Sequence, residues 1–307
     1  MTTWQKYLKE SKLDESLSYV LADLEEVFVD LWHAFSATGN DRLEGKIENM
    51  NPTGDMQAKM DVYSNQLFVD KLSKNGAISI LVSEENIDPI IIDKKRDGLV
   101  VVFDPLDGSS IVDMNMSVGS IVGVYKGEGV KGLSGRDQKA AIMAVYGPSL
   151  SVMVTTGEGV IEFIYDLGKK ELVLQNEHVH IPESGPILAP GGMKGCGMNS
   201  WYCALFNKMM EEDYSLRYSG GMVPDINHII KKGGIYMYPG TKEKPGGKLR
   251  LLYELAPLAM IIEQTGGLAI DGKNEILDIV VSDYHQKSPF FAGSKHEIDL
   301  VRKHIPK

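Results

Sequence analysis

The chain has 307 residues, of which 43% are hydrophobic, 24% charged and 8% aromatic, and its formal net charge is −10. That length suits about two domains of ~150 residues, and the composition excludes collagenous, disordered and coiled-coil proteins. The acidic balance excludes a basic nucleic-acid-binding face, and no apolar run reaches the ~18 residues of a membrane span. The two cysteines, Cys196 and Cys203, are spaced for neither a zinc site nor a redox CxxC. They read as free thiols of a reducing compartment. No apolar leader is visible in the opening segment, so the expected location is the cytoplasm, or a plastid or other organelle if a transit peptide has been trimmed.

Leu13, Leu17, Val20, Leu21, Leu24, Val27, Phe28, Leu31 and Phe35 recur at steps of three and four, which predicts one long amphipathic helix. Gly39-Asn40 would stop it. A polar loop over 51–55 leads to a second helix opened by Asp61 and ended by Asn75-Gly76. The apolar runs 77–82 and 99–103 are short and rich in Val and Ile, and read as buried strands. Further strands are expected over 117–124, 140–145 and 150–155, followed by a hairpin of 160–165 and 171–174 around a turn at 166–169. The run Lys94-Lys95-Arg96 reads as a solvated loop. A stretch rich in Gly and Pro, 182–197, divides an N-terminal lobe (1–182) from a C-terminal lobe (183–307). Helices at 199–212 and 224–232, a strand at 235–238 and a helix from about 248 to 265, closed by Gly266-Gly267, complete the pattern. The fold class is mixed α/β in two lobes.

Both central strands run into acids. Residues 77–82 lead to Ser83-Glu84-Glu85, and 99–103 lead to Asp104-Pro105-Leu106-Asp107-Gly108-Ser109-Ser110. Ligands of open α/β sheets sit beyond the carboxyl ends of the strands. Four carboxylates delivered there repel one another unless cations lie between them, and oxygen donors suit Mg²⁺ or Mn²⁺ rather than zinc. Pro105 sets φ, Gly108 allows close backbone approach, and Ser109 and Ser110 add hydroxyls, so the turn can cradle a phosphate.

Asp-Pro-Leu-Asp-Gly-Ser-Ser after a strand, with Ser-Glu-Glu closing the strand before it, resembles the metal-dependent, lithium-sensitive sugar-phosphatase superfamily. Residues 247–257, Gly-Lys-Leu-Arg-Leu-Leu-Tyr-Glu-Leu-Ala-Pro, resemble the signature of its class I fructose-1,6-bisphosphatase family. The resemblance spans roughly 54–294. It implies a layered α-β-α-β-α sandwich and a phosphoric monoester hydrolase acting on a sugar bisphosphate. Within the family, Ser109-Ser110-Ile111-Val112-Asp113, the segments 135–138 and 146–148, and Leu216-Arg217-Tyr218-Ser219-Gly220-Gly221-Met222-Val223-Pro224-Asp225-Ile226-Asn227 look like the sedoheptulose-1,7-bisphosphatases. Fructose enzymes typically carry Val-Gly-Ser where this chain has Ser219-Gly220-Gly221.

The resemblance implies that Glu84, Glu85, Asp104, Asp107 and Glu254 hold two or three Mg²⁺ ions, with Mn²⁺ as the alternative, and that the Leu106 carbonyl completes a shell. Gly108, Ser109 and Ser110 would hold the 1-phosphate. Asn199, Tyr202, Tyr218, Tyr238 and Lys248 would hold the distal phosphate, and Met222 would line the sugar. Arg217 would reach that phosphate from a neighbouring subunit of a homodimer or homotetramer. Asp55 and Asp61, on a mobile loop, and Glu85 would activate water. The Lys-Tyr pair through which animal-type members bind AMP is replaced by Gly98-Leu99, and no Thr-Gly-Glu loop precedes the first helix. AMP inhibition of that kind is therefore not expected. Nor is thioredoxin control, because the N-terminal regulatory cysteine pair of the plastid enzymes is absent.

Overall fold

Strands made of Val, Ile and Leu without polar interruption must be buried on both faces, and the central strands here are covered by helices on each side. The computed structural model describes residues 2–36, 46–50, 56–93 and 98–306. Helices α1 (Trp4–Glu10) and α2 (Glu15–Ser36) precede a ribbon of β1 (Lys46–Met50) and β2 (Met56–Ala58), then α3 (Lys59–Leu72). Strands β3 (Ile78–Ser83), β4 (Ile90–Ile91), β5 (Leu99–Asp107), β6 (Val118–Lys126), β7 (Ala140–Tyr146), β8 (Leu150–Thr155), β9 (Ile161–Asp166) and β10 (Glu171–Asn176) follow. They form one eight-stranded sheet in the order β10-β9-β8-β7-β6-β5-β3-β4, with β3 and β5 parallel and the other pairs antiparallel.

The second half contributes β11 (Ile187–Pro190), α4 (Ser200–Glu211), β12 (Ser215–Leu216), α5 (Met222–Lys232), β13 (Gly234–Tyr238), β14 (Leu249–Arg250), α6 (Ala256–Gln264), β15 (Leu268–Ile270), β16 (Lys287–Ser288), β17 (Phe290–Gly293) and α7 (Lys295–His304). Five of these strands make a second sheet, β12-β11-β13-β17-β15, and β14 pairs with β16.

The layering follows from strand alternation. On one face of the large sheet, Val101, Phe103, Val122 and Ile142 pack under Trp4, Leu24, Phe28 and Phe68 of the first three helices. On the other face, Val100, Val102, Ile121 and Met143 meet Ile226 and Ile229 of α5 and Leu258 and Ile262 of α6. Those helices rest in turn on Ala189, Tyr236, Phe290 and Ala292 of the second sheet. Leu188, Ile235 and Phe291, on its far face, are covered by Leu205 of α4 and Ile298 of α7. The result is the α-β-α-β-α sandwich expected. No helix among the described residues is long and apolar enough to cross a membrane.

Four expectations need correction or fall outside the description. The opening helix is two helices, with Leu13 in the break between them, where the Asp14 carboxylate accepts from the Ser16 amide at 2.9 Å and starts a new helix. Gly39-Asn40, the loop at 51–55 and Lys94-Lys95-Arg96 lie outside the described residues. The helix expected from 248 to 265 is regular only from Ala256. Before it come β14 and a π-helical turn, Leu251–Leu255. Pro257 explains this: it has no N–H to donate to the carbonyl four residues back, and it is tolerated only in the first turn. Finally, Cys196 and Cys203 are joined as a disulfide, their Cα atoms 5.1 Å apart, and are not free thiols. A short 3-10 turn, Met193–Gly197, folds Cys196 back beside the first turn of α4, which carries Cys203. With both cysteines paired, free thiols do not mark a reducing compartment for this chain.

Candidate active site

The acids converge because of two local irregularities. Strands β3 and β5 are parallel neighbours in the register Ser83↔Phe103, so Glu84 and Asp104 leave the sheet side by side. The Glu84 amide donates to the Phe103 carbonyl at 3.0 Å and holds that exit. Asp104 and Asp107, three apart, would point to opposite faces of a regular strand. Here Asp104 faces Ile121 of β6 and Asp107 faces Gly119, so three steps on β5 match two on β6. This β-bulge turns both carboxylates to the same side. The third acid, Glu254, arrives from the π-helical turn, a distortion that often marks functional sites. Carboxylate oxygens of Asp104, Asp107 and Glu254 lie within 4.8 Å of one another.

Three carboxylates this close and this buried cannot all carry charge unaided. Burial, then repulsion from Glu84, Asp107 and Glu254, pushes the Asp104 carboxyl well above the usual range. Burial raises Asp107 to about 7 against the backbone hydrogen bonds that it accepts, and Glu84 adds to the rise. Burial and Glu84 raise Glu254 to about 8, with Arg250 opposing. Arg250 ion-pairs with Glu84 at 2.9 Å, both side chains being nearly buried, and its backbone amide donates to the Glu254 carboxylate. The remaining negative charge and the all-oxygen donor set fit a hard divalent cation such as Mg²⁺ or Mn²⁺.

Beside this cluster a cavity of about 530 Å³ is lined by Asp61, Glu84, Glu85, Leu106, Gly108, Ser109, Ser110, Tyr218, Gly220, Met222, Tyr236, Tyr238, Lys248 and Arg250, among others. Gly108, at φ +87°, ends β5 and starts the 3-10 turn Ser109–Met114, so the serines follow directly on the acids. Tyr236 and Tyr238, alternate residues of β13, stack at 6.3 Å between centroids and form one wall. Lys248 follows Gly247, whose φ of +87° and backbone contact with Ser288 leave no room for a side chain.

Most sequence-predicted residues therefore meet in one place, but three do not. Tyr202 is fully buried and donates to the Gly191 carbonyl at 3.2 Å, and Asn199 donates to the Gly240 carbonyl at 3.1 Å. Neither lines the cavity. Asn199 is the extended N-cap of α4 and Tyr202 lies in its first turn, and each donates to a carbonyl outside the helix. The Arg217 side chain is exposed and donates to the neighbouring Leu216 carbonyl at 2.7 Å. Asp55 lies outside the described residues. Lys248 does not stand at a helix start, and it reaches the cavity from the turn before β14. Sequence reasoning missed Arg250 and Tyr236. The four-residue spacing of Arg250 and Glu254 was a usable signal, whereas nothing local marked Tyr236.

Residues 3–177 match the family profile "Fructose-1-6-bisphosphatase, N-terminal domain", and 181–305 match that for the C-terminal domain. The class 1 fructose-1,6-bisphosphatase of Syntrophotalea carbinolica is 37% identical over 303 residues, covering 97% of this chain and 91% of the relative. The holo structure of Leishmania major fructose-1,6-bisphosphatase superposes with a TM-score of 0.94 at 34% identity, covering 99% of this chain and 98% of that one. A Toxoplasma gondii protein provisionally described as a sedoheptulose-1,7 bisphosphatase superposes with a TM-score of 0.89 at 26% identity, covering 98% of each chain. Members of this family are sugar bisphosphatases that depend on divalent cations. A paired-acid site at the carboxyl ends of parallel strands, facing a serine-bearing turn, thus sits in a chain that belongs to the class 1 fructose-1,6-bisphosphatase family.

Proposed function

We propose that this sugar bisphosphatase preferentially removes the 1-phosphate of sedoheptulose 1,7-bisphosphate, giving sedoheptulose 7-phosphate and phosphate. The observation that carries the seven-carbon preference is Gly221, which stands where fructose enzymes typically carry Ser and adjoins Gly220 at the cavity. Gly220 lines it at φ +102°, a conformation that side chains disfavour. At Gly221 a Cβ would lie 3.2 Å from Ile111 and from Pro224. We read the absence of a side chain at Gly221 as the source of room for one more CHOH unit. Fructose 1,6-bisphosphate is the second reading, favoured by relatives that are described as fructose-1,6-bisphosphatases.

Glu84, Glu85, Asp104, Asp107, Glu254 and the Leu106 carbonyl would hold two or three Mg²⁺ ions, with Mn²⁺ able to substitute. Such ions lower the pKa of bound water and offset the charge of the phosphoryl group. The backbone amides and hydroxyls of Gly108, Ser109 and Ser110 bind the 1-phosphate in this reading and orient it for in-line attack. Asp61, in the first turn of α3 at the cavity, and Glu85 take the proton from the attacking water, with Asp55 as their partner. Tyr218, Tyr238 and Lys248 bind the distal phosphate, and Met222 packs on the sugar. Asn199 and Tyr202 would join them only by rotating away from Gly240 and Gly191. Exposed Arg217 is proposed to serve a neighbouring subunit of a dimer or tetramer, where a bidentate phosphate contact would give it value.

Initial rates on the 1,7- and 1,6-bisphosphates, with Mg²⁺ and with chelator, test this reading. The expected result is chelator-sensitive turnover of both, with kcat/KM favouring the seven-carbon compound by up to about 100-fold, the reach of a small pocket difference. Turnover of the fructose compound alone would leave the second reading standing.

A further inference from the structure

The bulge that aligns Asp104 with Asp107 leaves Pro105 and Leu106 opposite a single residue of β6, Ser120. Pro105 has no N–H to give to the ladder, but its carbonyl can accept. It is met by a side chain: the Ser120 hydroxyl donates to the Pro105 carbonyl at 2.7 Å. The same Ser120 oxygen lies 2.8 Å from the Tyr146 hydroxyl at the end of β7. A serine carries one hydroxyl proton and a carbonyl can only accept. The direction of the chain is therefore settled: Tyr146 donates to Ser120, and Ser120 donates to Pro105. Ser120 is 0% exposed and Tyr146 3%. Hydrogen bonds in series at such depth polarise one another. The Phe35 ring packs edge-on against Tyr146 at 5.0 Å and holds the phenol in place.

We propose that Ser120 and Tyr146 are positioning residues for the metal site: their hydroxyl chain sets the depth of the bulge, and so the separation of the Asp104 and Asp107 carboxylates and the aim of the Leu106 carbonyl. The proposal rests on the metal-dependent reading of this site. The Ser120 hydroxyl bonds to the Pro105 carbonyl and to Tyr146 rather than to either carboxylate. It acts through the backbone between them. The Asp104 carboxylate accepts from the Leu106 amide at 2.9 Å, so a shift of Pro105 and Leu106 moves that carboxylate too.

The test compares wild type with Ser120→Ala, Tyr146→Phe and the double variant. Mn²⁺ affinity of the metal-free proteins is measured by calorimetry, with Mg²⁺ half-saturation of phosphate release, KM for the sugar bisphosphate at saturating Mg²⁺, and Tm. Ser120→Ala should weaken Mn²⁺ binding about 10- to 100-fold, the usual cost of losing a group that orients metal ligands. KM for the sugar should stay within about twofold, since the phosphate turn is retained. Tyr146→Phe keeps the Ser120 bond to Pro105 and should cost less, about three- to tenfold. The double variant separates positioning from packing. Removing both hydroxyls spares Tyr146 a stranded donor, so Tm should recover relative to Ser120→Ala while Mn²⁺ affinity stays as weak. Affinities of both single variants within twofold of wild type would overturn the proposal, as would affinity recovering together with Tm in the double variant. If Ser120→Ala does not fold, Tyr146→Phe decides alone, an unchanged affinity overturning the proposal. Absence of Mn²⁺ binding and of cation-dependent turnover in the wild type would instead overturn the metal reading itself, and the proposal with it.

Discussion

The backbone amide of Val223 donates to the Asp107 carboxylate at 2.7 Å across 116 residues of chain. Asp107 ends a strand of the large sheet and Val223 lies in the first turn of α5, so the positive end of that helix faces an acid of the candidate metal site. Gly119 makes the approach possible. A Cβ there would stand 2.3 Å from Val223 Cγ1 and 2.5 Å from the Ala144 carbonyl.

Gly119→Ala should therefore force α5 away from Asp107. Overpacking of this kind costs about 1–3 kcal/mol, and at roughly 2–4 °C per kcal/mol for a chain of this size Tm should fall by several degrees. The Mg²⁺ requirement should rise in the same variant because Asp107 loses its amide donor. Unchanged Tm and Mg²⁺ dependence would show that the contact at Gly119 is unimportant.

Asp104→Asn should abolish Mg²⁺-dependent phosphate release, with a loss on the order of 10³-fold or more for an essential ligand in a two-metal site. The fold should survive, because the asparagine oxygen can still accept from the Leu106 amide, now 2.9 Å from Asp104. Thermal unfolding of the metal-free protein should show equal or higher stability, since a buried acid repelled by three neighbours has been neutralised. Wild-type turnover in this variant would remove Asp104 from the metal site.

The raised acids also set a pH dependence. Asp107 at about 7 and Glu254 at about 8 keep protons in the folded chain that the unfolded chain, with carboxylates near ~4, gives up earlier. The folded state thus binds more protons between those values, so the stability of the metal-free protein falls as pH rises. Their favourable contribution is complete below about pH 4 and lost as pH climbs through 7 and 8. Saturating Mg²⁺ should reverse the trend, because the cation binds the deprotonated cluster. Calorimetric Tm at about pH 5.5 and about pH 9, with chelator and with Mg²⁺, checks it. A Mg²⁺-induced rise in Tm that is no larger at the higher pH would contradict it.

Replacing Ser219→Val together with Gly221→Ser should move kcat/KM toward the six-carbon substrate. The Ser219 hydroxyl now donates to the Gly221 carbonyl at 3.0 Å, and Gly221 abuts Ile111 in the 3-10 turn that carries Ser109 and Ser110. Added bulk there should narrow the sugar pocket, by about 1–3 kcal/mol of discrimination. Parallel rates on the two bisphosphates read this directly, and an unchanged ratio would place the specificity elsewhere.

Glu84, Asp104 and Asp107 were legible as candidate ligands because their chemistry is local: an apolar strand followed at once by acids, a proline and a glycine. The strands themselves were legible for the same reason, since burial on both faces leaves a continuous apolar run. The same locality explains the failures. The bulge that brings Asp104 and Asp107 to one side depends on the register of β6, and register is a property of two strands. Glu254 sits on a π-helical turn where the apolar pattern alone predicted an unbroken helix. The pairing of Arg250 with Glu84 and of Val223 with Asp107 joins segments from opposite halves of the chain. The spacing of Asn199 and Tyr202 suggested one helix face, but Asn199 is the extended N-cap of α4, and Gly240 and Gly191 accept the hydrogen bonds of the two side chains. The disulfide between Cys196 and Cys203 likewise needed a turn that folds one cysteine back onto the other's helix. Residue type and spacing by themselves determined which side chains could bind a cation or a phosphate. Only the tertiary structure decided which of them share a cavity, because strand register, buried ion pairing and competition for hydrogen bonds are settled between residues far apart in the chain.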